Sequence, residues 1–306
     1  MTIVFALIAA LCNALNVVAQ HLGSIASVQQ SKGWRVVLTL LRNPLWLAGW
    51  GALAGGFLFQ ALALHAGQMS VVQPLLVTEL VFALALRRVW LRQPIRAATW
   101  WAGGLTCVSL SVFLAASEPQ GGTDFPDSSA WITGAWGTVG VAAVLALLAM
   151  RGTVTRRTAL MASAAAVMWA LVATLVKTMT DTLTEFGVGG MFLHWPVYAL
   201  AAAGLGAEVL HQTTLGLGPL SVSQPLLAIV NPIVSIALSV WIFEEYFTLD
   251  GLRLALGSAA FVVMCGSVVV LTRTAPATMS PDSAGSGQPR DVGSQQRVAD
   301  ESDGVD

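Results

Sequence analysis

The chain has few charged residues and few cysteines for its length. Only 10% of its 306 residues are charged, whereas 56% are hydrophobic, and its mean hydropathy is +0.73. So few charges are insufficient to cover the surface of soluble domains. The three cysteines, Cys12, Cys107 and Cys265, lie far apart within apolar runs, a pattern that supports neither a disulfide framework nor a zinc site. The composition therefore predicts that lipid surrounds most of the chain.

Signature motifs of hydrolases and ATP-driven pumps are also missing. The sequence contains no His-Glu-x-x-His zinc motif, no Gly-x-Ser-x-Gly nucleophile elbow and no Walker A loop. We therefore predict a protein that is not an enzyme and needs no cofactor. The lipid bilayer is its expected partner, and nucleic acid is not. A coupled proton or Mg²⁺ would enter as a transported species.

Nine stretches are long and apolar enough to cross a bilayer, which requires about 20 residues. The fold class that they predict is an all-α integral membrane protein. A more polar stretch, 24–43, is predicted to be an amphipathic surface helix, with a loop or a tenth, re-entrant span as alternatives. The nine predicted spans are 2–22, 45–65, 69–88, 97–117, 131–150, 158–178, 191–212, 220–243 and 252–271.

The charges between the spans predict how the bundle is oriented. Lys and Arg collect in the loops after spans one, three and five, and such loops face the cytoplasm. This places the N-terminus outside and the polar tail 274–306 inside, where its composition predicts disorder. Arginine far outnumbers lysine, 13 to 2, which favours a GC-rich bacterial genome and hence the plasma (inner) membrane. The basic residues concerned are Lys32, Arg35, Arg42, Arg87, Arg88, Arg92, Arg96, Arg151, Arg156 and Arg157.

The second half of the chain repeats the first. The run Ser70-Val-Val-Gln-Pro-Leu-Leu76 returns as Ser221-Val-Ser-Gln-Pro-Leu-Leu227. The repeat predicts a first unit, 1–117, a connecting span, 131–150, and a second unit, 158–273. Each span of the first unit lies five spans before its partner in the second. Because five is an odd number, the two units are expected to have opposite orientations. Inverted repeats of this kind are typical of secondary transporters.

Prolines within the spans predict matched helix interruptions. Pro74 and Pro225 each lie about one turn inside a predicted helix, and Pro232 follows in span eight. Proline has no N–H to donate and its ring clashes with the preceding turn. Matched interruptions in two halves indicate a transport site, with Gln73 and Gln224 beside them as candidate binding residues.

Two carboxyl groups lie within the predicted spans, Glu79 and Glu208. A charged group at the bilayer centre costs at least ~2.5 kcal/mol, so we expect each, unless it is neutral and bonded within the bundle, to face a cavity or a partner. For Glu208, a local pair with His211 at i+3 is an equal alternative. Glu79 is the first candidate for a proton-coupling or cation-binding group, and both are the candidate ligands if a metal ion is carried. The pair Lys177 and Asp181, in contrast, is expected to be a solvated pair at a helix end.

Amide side chains complete the candidate site. Asn13 and Asn16 lie within about 60° of each other on one face of span one. Asn231 lies on span eight in the same stripe as Gln224. Taken singly, amides in membrane helices usually hold helices together. Two stripes of amides facing a carboxyl group favour a polar binding site between spans one, three, six and eight.

The chain resembles the drug/metabolite transporter superfamily, in its EamA-like part, and within it most closely the NIPA-type magnesium transporter branch. Two motifs carry the superfamily resemblance: Leu62-Ala-Leu-His-Ala-Gly-Gln-Met-Ser-Val-Val-Gln-Pro74 and Leu215-Gly-Leu-Gly-Pro-Leu-Ser-Val-Ser-Gln-Pro225. Asn43-Pro44-Leu45-Trp46 and Val172-Ala-Thr-Leu-Val-Lys177 are similar to the branch. The resemblance implies transport by alternating access. The chain departs from the branch in span two, where Gly55, Gly56 and Phe57 stand without the acidic residue of that pattern.

Three functional hypotheses follow from the sequence. The first is a secondary, non-ATP transporter of a small polar solute or metabolite. The second is a NIPA-like transporter of Mg²⁺ or another divalent cation. The third is a membrane assembly or lipid-handling protein that does not transport, with the tail 274–306 as its docking segment. A homodimer and a protein partner bound through that tail are the partner alternatives.

Overall fold

A computed structural model of the chain describes residues 1–30, 43–90, 95–117, 119–123, 126–218, 220–247 and 251–274. They belong to one compact unit, Met1–Ala275. The predicted disordered tail, from residue 275 onward, lies outside the described residues. So does 31–42, most of the stretch for which a surface helix was predicted, whereas 24–30 continues the first helix.

Ten helices and two short strands make up the described residues. The strands, β1 (Pro119–Gly121) and β2 (Glu245–Phe247), pair antiparallel, with Gln120 opposite Tyr246. The helices are α1 (Thr2–Gln30), α2 (Pro44–Ala66), α3 (Met69–Leu76), α4 (Glu79–Trp90), α5 (Ala97–Ser117), α6 (Ser128–Leu148), α7 (Val154–Met191), α8 (Pro196–Leu217), α9 (Leu220–Ile242) and α10 (Gly251–Thr274).

Eight of the helical segments in the described residues are long and apolar enough to cross a membrane, with α3 and α4 counted together as one. This is the architecture of a multi-pass membrane protein, as the composition predicted. The predicted span 191–212 is present as α8, but α8 is not among the eight. Glu208, His211 and Gln212 lower its hydropathy.

Local sequence explains where several helices begin and bend. The Asn43 side chain accepts a hydrogen bond from Leu45 N at 3.0 Å, and Pro44 occupies the first turn of α2, where its missing N–H costs nothing. Thr153 caps α7 in the same way, by accepting from Arg156 N. Near its other end, α7 departs from helical geometry at Gly187, whose φ of 67° suits glycine.

Small residues bring the helices close together. α1 packs against α2 and α4, α7 packs against α8 and α9, and α5 packs against α10. The face of α7 within this core is rich in alanine, including the fully buried Ala162, Ala166 and Ala170. Small side chains allow the helix backbones to approach closely. Because lipid tails are as apolar as the helices, helices in a membrane associate through this close packing rather than through the hydrophobic effect.

One end of the bundle carries both strands, and we call it the strand end. The connection between α2 and α3 lies there, because the backbone N–H of Met69 donates to Glu245 of β2 at 2.7 Å. Lys177 of α7 also reaches Glu245 from this end. Three parts of the chain that are far apart in sequence therefore meet at the strand end.

Candidate functional site

The predicted third span is interrupted shortly after Pro74. α3 ends at Leu76 and α4 begins at Glu79. Between them, Val77 N bonds to Pro74 O at 3.2 Å and Thr78 N bonds to Leu75 O at 3.1 Å. These bonds span three residues where an α-helix spans four, so the interruption is a tightened turn.

The hydroxyl of Thr78 helps to hold this turn. Its Oγ1 donates to the Leu75 carbonyl at 2.7 Å, and a hydroxyl bonded to a nearby backbone carbonyl competes with the regular helical ladder. Val77 and Thr78 are both β-branched and are weaker helix formers than alanine. The missing N–H of Pro74 and these two residues together explain why the helix is interrupted here.

Glu79 opens α4 directly after the interruption. The side-chain amide of Asn13, on α1, donates a hydrogen bond to its carboxyl group. Gly56 of α2 lies against Asn13, since a methyl group at position 56 would overlap the Asn13 Oδ1 atom. The structure thus brings Asn13 and Glu79 together, with Gly56 leaving room for Asn13.

Gln73 lies on α3, one turn before the interruption. It is only 2% exposed, and its Nε2 has no hydrogen-bond partner in the described part of the chain. In α9, which packs against α3, the hydroxyl of the fully buried Ser223 also has no partner. An unmade hydrogen bond of a buried group costs about 1–3 kcal/mol, so a polar ligand or water bound beside either group would gain that energy.

The second half does not have the interruption predicted at Pro225 and Pro232. α9 runs as one helix from Leu220 to Ile242 through both prolines. The prolines remove two N–H donors. However, the position that corresponds to Val77 in the first half is Ala228, a strong helix former. Gln224 and Asn231 are half-buried on α9, and Asn231 Oδ1 accepts from Ser235 at 3.3 Å.

For Glu208, the structure agrees with the alternative of a local pair on its own helix. Its side chain is 48% exposed on the outer face of α8. Gln212 Nε2 donates to Glu208 at 2.6 Å, and His211 Nδ1 lies 4.0 Å away. These two partners lie on the same helix as Glu208, so its carboxyl group can be hydrogen-bonded without facing the interior of the bundle. Asn16 is half-buried on α1, three residues from Asn13, and has a partner of its own.

A buried ionic cluster at the strand end was not predicted. Glu245 is buried and accepts hydrogen bonds from Met69 N, from Ser70 N at 3.0 Å and from Ser70 Oγ at 2.6 Å. Lys177 Nζ lies 3.2 Å from the Glu245 carboxylate. A carboxylate at the start of α3 also interacts favourably with the helix dipole. We call these four residues the Glu245 cluster.

The solvated pair expected at Lys177 and Asp181 is therefore wrong. Lys177 is 5% exposed, and its ammonium group also lies 4.3 Å from the centroid of the Phe243 ring. Asp181 is buried one turn along α7, with its Oδ1 3.4 Å from His65 Nδ1. α7 is 38 residues long, so its last third extends past the length of a membrane span.

The pKa of Glu245 reflects two opposing causes. Burial by itself would raise the pKa of this carboxyl group. The positive charge of Lys177 and the hydrogen bonds from Ser70 and Met69 outweigh burial, so the pKa lies below its ordinary value of 4.5. Glu245 is therefore ionised at neutral pH, and the ion pair with Lys177 is formed.

The sequence contained one signal for the Glu245 cluster. Lys177 is one of only two lysines in the chain and lies at the end of the apolar run of α7. Glu245 follows span eight directly after Glu244. Each was visible as an unusual charge near a membrane segment, but only the fold shows that they meet.

The described residues contain no group of three or more His, Cys, Asp or Glu side chains able to hold a metal ion. Glu79 bonds with Asn13, and Glu208 bonds with Gln212, so the two carboxyl groups belong to separate surroundings. A bound Mg²⁺ prefers near-octahedral oxygen ligands, usually one or two carboxylates completed by waters. Glu79 would supply one of these positions.

Sequence comparison gives one relative of broad coverage. The chain is 28% identical over 277 residues to an uncharacterised protein of Corynebacterium glutamicum, which covers 90% of this chain and 95% of that protein. No family model and no solved structure matches the chain. The likeness extends over nearly the whole helical unit.

Proposed function

We propose that this protein is a secondary transporter of a small polar solute, with Glu79 and Asn13 at the interrupted third span as its transport site. The observation that carries the proposal is a carboxyl group held by an amide inside an apolar bundle, at a break in a helix. Polar groups at membrane depth are costly and mark ion or substrate pathways. Irregular backbone there is tolerated only against protein or a water-filled cavity.

The packing of the two halves supports an inverted repeat. α1 lies against α2 and α4, and α7 lies against α8 and α9 in the same pattern. A methyl group on Gly67, at the end of α2, would meet Thr2 of α1, and one on Gly218, at the end of α8, would meet Thr158 of α7. These matched contacts favour nine spans related as the drug/metabolite transporter resemblance implies.

The charges support the proposed orientation in a bacterial plasma membrane. Glu245 and Asp181 lie at the strand end. Arg87, in the last turn of α4, and Arg157, in the first turn of α7, lie at the opposite end of the bundle. By the positive-inside rule, the strand end then faces outside. The N-terminus is external in this arrangement, and the tail beginning at residue 274 is cytoplasmic.

The Glu245 cluster supplies a closing contact for alternating access. It joins the start of α3, from the first repeat, to α7 and β2, from the second. Transporters of this architecture move one repeat against the other around a central site. We infer that the ion pair keeps the outer side of the protein closed in the state in which Glu79 cannot be reached from outside. The ion pair would break when the two repeats separate.

Uptake by purified protein in liposomes tests the function. Wild type and Glu79→Gln would be compared across a panel of metabolites and divalent cations, with protein-free liposomes as the baseline. We expect at least one polar solute to enter only with wild type, at a rate reduced ten-fold or more in Glu79→Gln. Mg²⁺ flux that depends on Glu79 would favour the divalent-cation alternative. If no member of the panel is carried, or if uptake ignores Glu79, the proposal fails.

A further inference from the structure

The outward face of α8 carries polar side chains, although a helix at the edge of a membrane protein usually presents apolar ones to lipid. α8 packs along α7 with a face that includes the buried Ala203 and Ala207. The other side of the helix carries Leu205, Glu208 and Gln212, all of them exposed. A carboxyl group and an amide therefore face away from α7.

These polar groups lie near the middle of the membrane thickness. Glu208 is the thirteenth of the 22 residues of α8, about 14 Å from the nearer helix end at 1.5 Å per residue. α8 runs back along α7, which is apolar enough to cross a membrane. A methyl group on Gly218 would meet Thr158 near the start of α7, and one on Gly206 would lie 3.5 Å from Met168. Because the hydrocarbon core is about 30 Å thick, Glu208 lies at the depth where exposing a polar group to lipid is most costly.

The partners of Glu208 on its own helix satisfy only part of the hydrogen-bonding capacity of this pair. Gln212 Nε2 donates to Glu208 Oε1 at 2.6 Å. His211 Nδ1 is 4.0 Å from Glu208 Oε2, which is longer than a hydrogen bond. The Gln212 amide has a second N–H and a carbonyl, and a carboxyl group can accept further bonds. The Glu208 side chain is 48% exposed, so a second molecule can reach it.

The matching helix of the first half shows how a lipid-facing helix of this protein is composed. α2 corresponds to α8 in the repeat, and it contains no Asp, Glu, Lys or Arg. Its large exposed side chains, among them Trp50, Leu53 and Phe57, are apolar. The position that matches Glu208 is Gly56, which is buried. Lipid suits the outward face of α2, whereas the outward face of α8 requires a polar partner.

The exposed residues of α8 have the spacing of a helix–helix interface. Five of them, which we call the α8 seam, follow one another at alternating steps of three and four residues. This is the a/d spacing by which two parallel helices pack along each other. Polar side chains that bond across such an interface hold membrane helices together. The α8 seam consists of Tyr198, Ala201, Leu205, Glu208 and Gln212.

We propose that the α8 seam binds the α8 seam of a second copy of this chain, forming a two-fold symmetric dimer in the membrane. A second copy inserted in the same orientation places its own carboxyl group and amide at the same depth, where lipid tails offer neither donor nor acceptor. The two-fold axis makes each contact occur twice. Glu208 of one copy accepts a hydrogen bond from Gln212 of the other, through the N–H that its own helix leaves unused. This dimer is independent of the proposed transport.

Cysteine cross-linking in liposomes tests the geometry of the dimer. Leu205→Cys and Leu53→Cys would be made separately in the full chain, with the three native cysteines replaced by alanine, and then oxidised. Leu205 belongs to the α8 seam, and Leu53 is the matched exposed position on α2. Each Leu205 faces its own copy across a parallel two-fold interface, so Leu205→Cys should form most of the cross-linked dimer. Equal cross-linking at the two positions, or none at Leu205→Cys, would overturn the proposal.

Subunit counting tests whether the polar pair holds the dimer. Labelled full-length protein would be diluted into liposomes and counted by single-molecule photobleaching. Gln212→Leu should raise the dissociation constant about ten-fold or more, because both copies lose their amide. The matched control, Gln60→Leu on α2, should stay within about two-fold of wild type, and Gln212→Asn should keep the dimer because it keeps an amide.

Three results would contradict the dimer. They are wild-type monomers at every protein-to-lipid ratio, equal dissociation constants for Gln212→Leu and Gln60→Leu, and association only with a different protein. If Gln212→Leu does not fold, the cross-linking pattern of the two leucine positions decides alone.

Discussion

The two proline-containing runs are identical at six of seven positions and lie at the same depth in their helices, yet their backbones differ. Pro74 is the sixth residue of α3, and Pro225 is the sixth residue of α9. α3 ends two residues later, whereas α9 continues for another 17 residues to Ile242. A proline alone is therefore not sufficient to end a membrane helix, although it removes one N–H in each case.

The residues that follow the prolines account for the difference. Thr78 places its hydroxyl on the Leu75 carbonyl, and Glu79 then begins a new helix, where a carboxyl group is favourable. In α9 the corresponding residues are apolar and offer no side-chain hydroxyl. The start of α3 is also held by Glu245, and Ser221 at the start of α9 is exposed. The first half of the chain thus has a carboxyl–amide pair at a helix interruption, and the second half has a continuous helix in the matching place.

The largest effect is expected from Lys177→Met, which leaves Glu245 buried without its counter-charge. Removing one partner of a buried ion pair costs about 3–5 kcal/mol. The melting temperature of the detergent-purified protein should fall steeply. The double variant Lys177→Met with Glu245→Met, which removes both charges, should recover part of the loss. A single variant as stable as wild type would show that the cluster does not hold α3.

Replacing the first serine of each run compares the two helix starts directly. Ser70→Ala removes a buried hydroxyl that donates to a carboxylate, and such bonds contribute about 1.5–3 kcal/mol. Ser221→Ala changes an exposed side chain and should stay within about 0.5 kcal/mol of wild type. Thermal unfolding of both variants measures the difference. Equal losses would contradict the difference between the two helix starts.

Acid should weaken the strand end. Because the folded-state pKa of Glu245 lies below 4.5, its ionised form contributes stability that is fully present above 4.5. That contribution is lost as the pH falls through the lowered folded-state pKa. The melting temperature should therefore decline below pH 4.5, and the acid-induced decline should be smaller in Glu245→Gln. The same decline in both proteins would assign it to other groups.

Apart from the Ser221→Ala control, the smallest change in stability is expected from Thr78→Val. The substitution removes the hydroxyl that bonds to Leu75, a contact worth about 0.5–1.5 kcal/mol. Without this competitor, regular helical bonding should extend into the turn, so the backbone amides of Val77 to Phe82 should exchange hydrogen more slowly. Hydrogen exchange followed by mass spectrometry measures this. Unchanged exchange would mean that Pro74 alone determines the interruption.

The sequence predicted the helical membrane architecture and the interruption at Pro74, because apolar length and proline chemistry act locally. It did not predict that α9 tolerates both of its prolines, since that depends on the residues and packing that follow. The Glu245 cluster was missed because its members are distant in the chain, and only tertiary structure brings Lys177 to Glu245. For Glu208 the sequence left a site and a local pair as equal alternatives, because hydropathy locates a span but does not show which face of the helix a residue occupies.

Transport rates for the two membrane carboxyl variants test the central claim most directly. Glu79→Gln and Glu208→Gln make the same chemical change in α4 and in α8, one beside Asn13 and the other on an exposed face. Initial uptake of the transported solute into proteoliposomes should fall ten-fold or more in Glu79→Gln and remain within two-fold of wild type in Glu208→Gln, a difference between them on the order of 1 kcal/mol or more. Equal uptake by the two variants, or loss confined to Glu208→Gln, would contradict the assignment of the transport site to the interrupted third span.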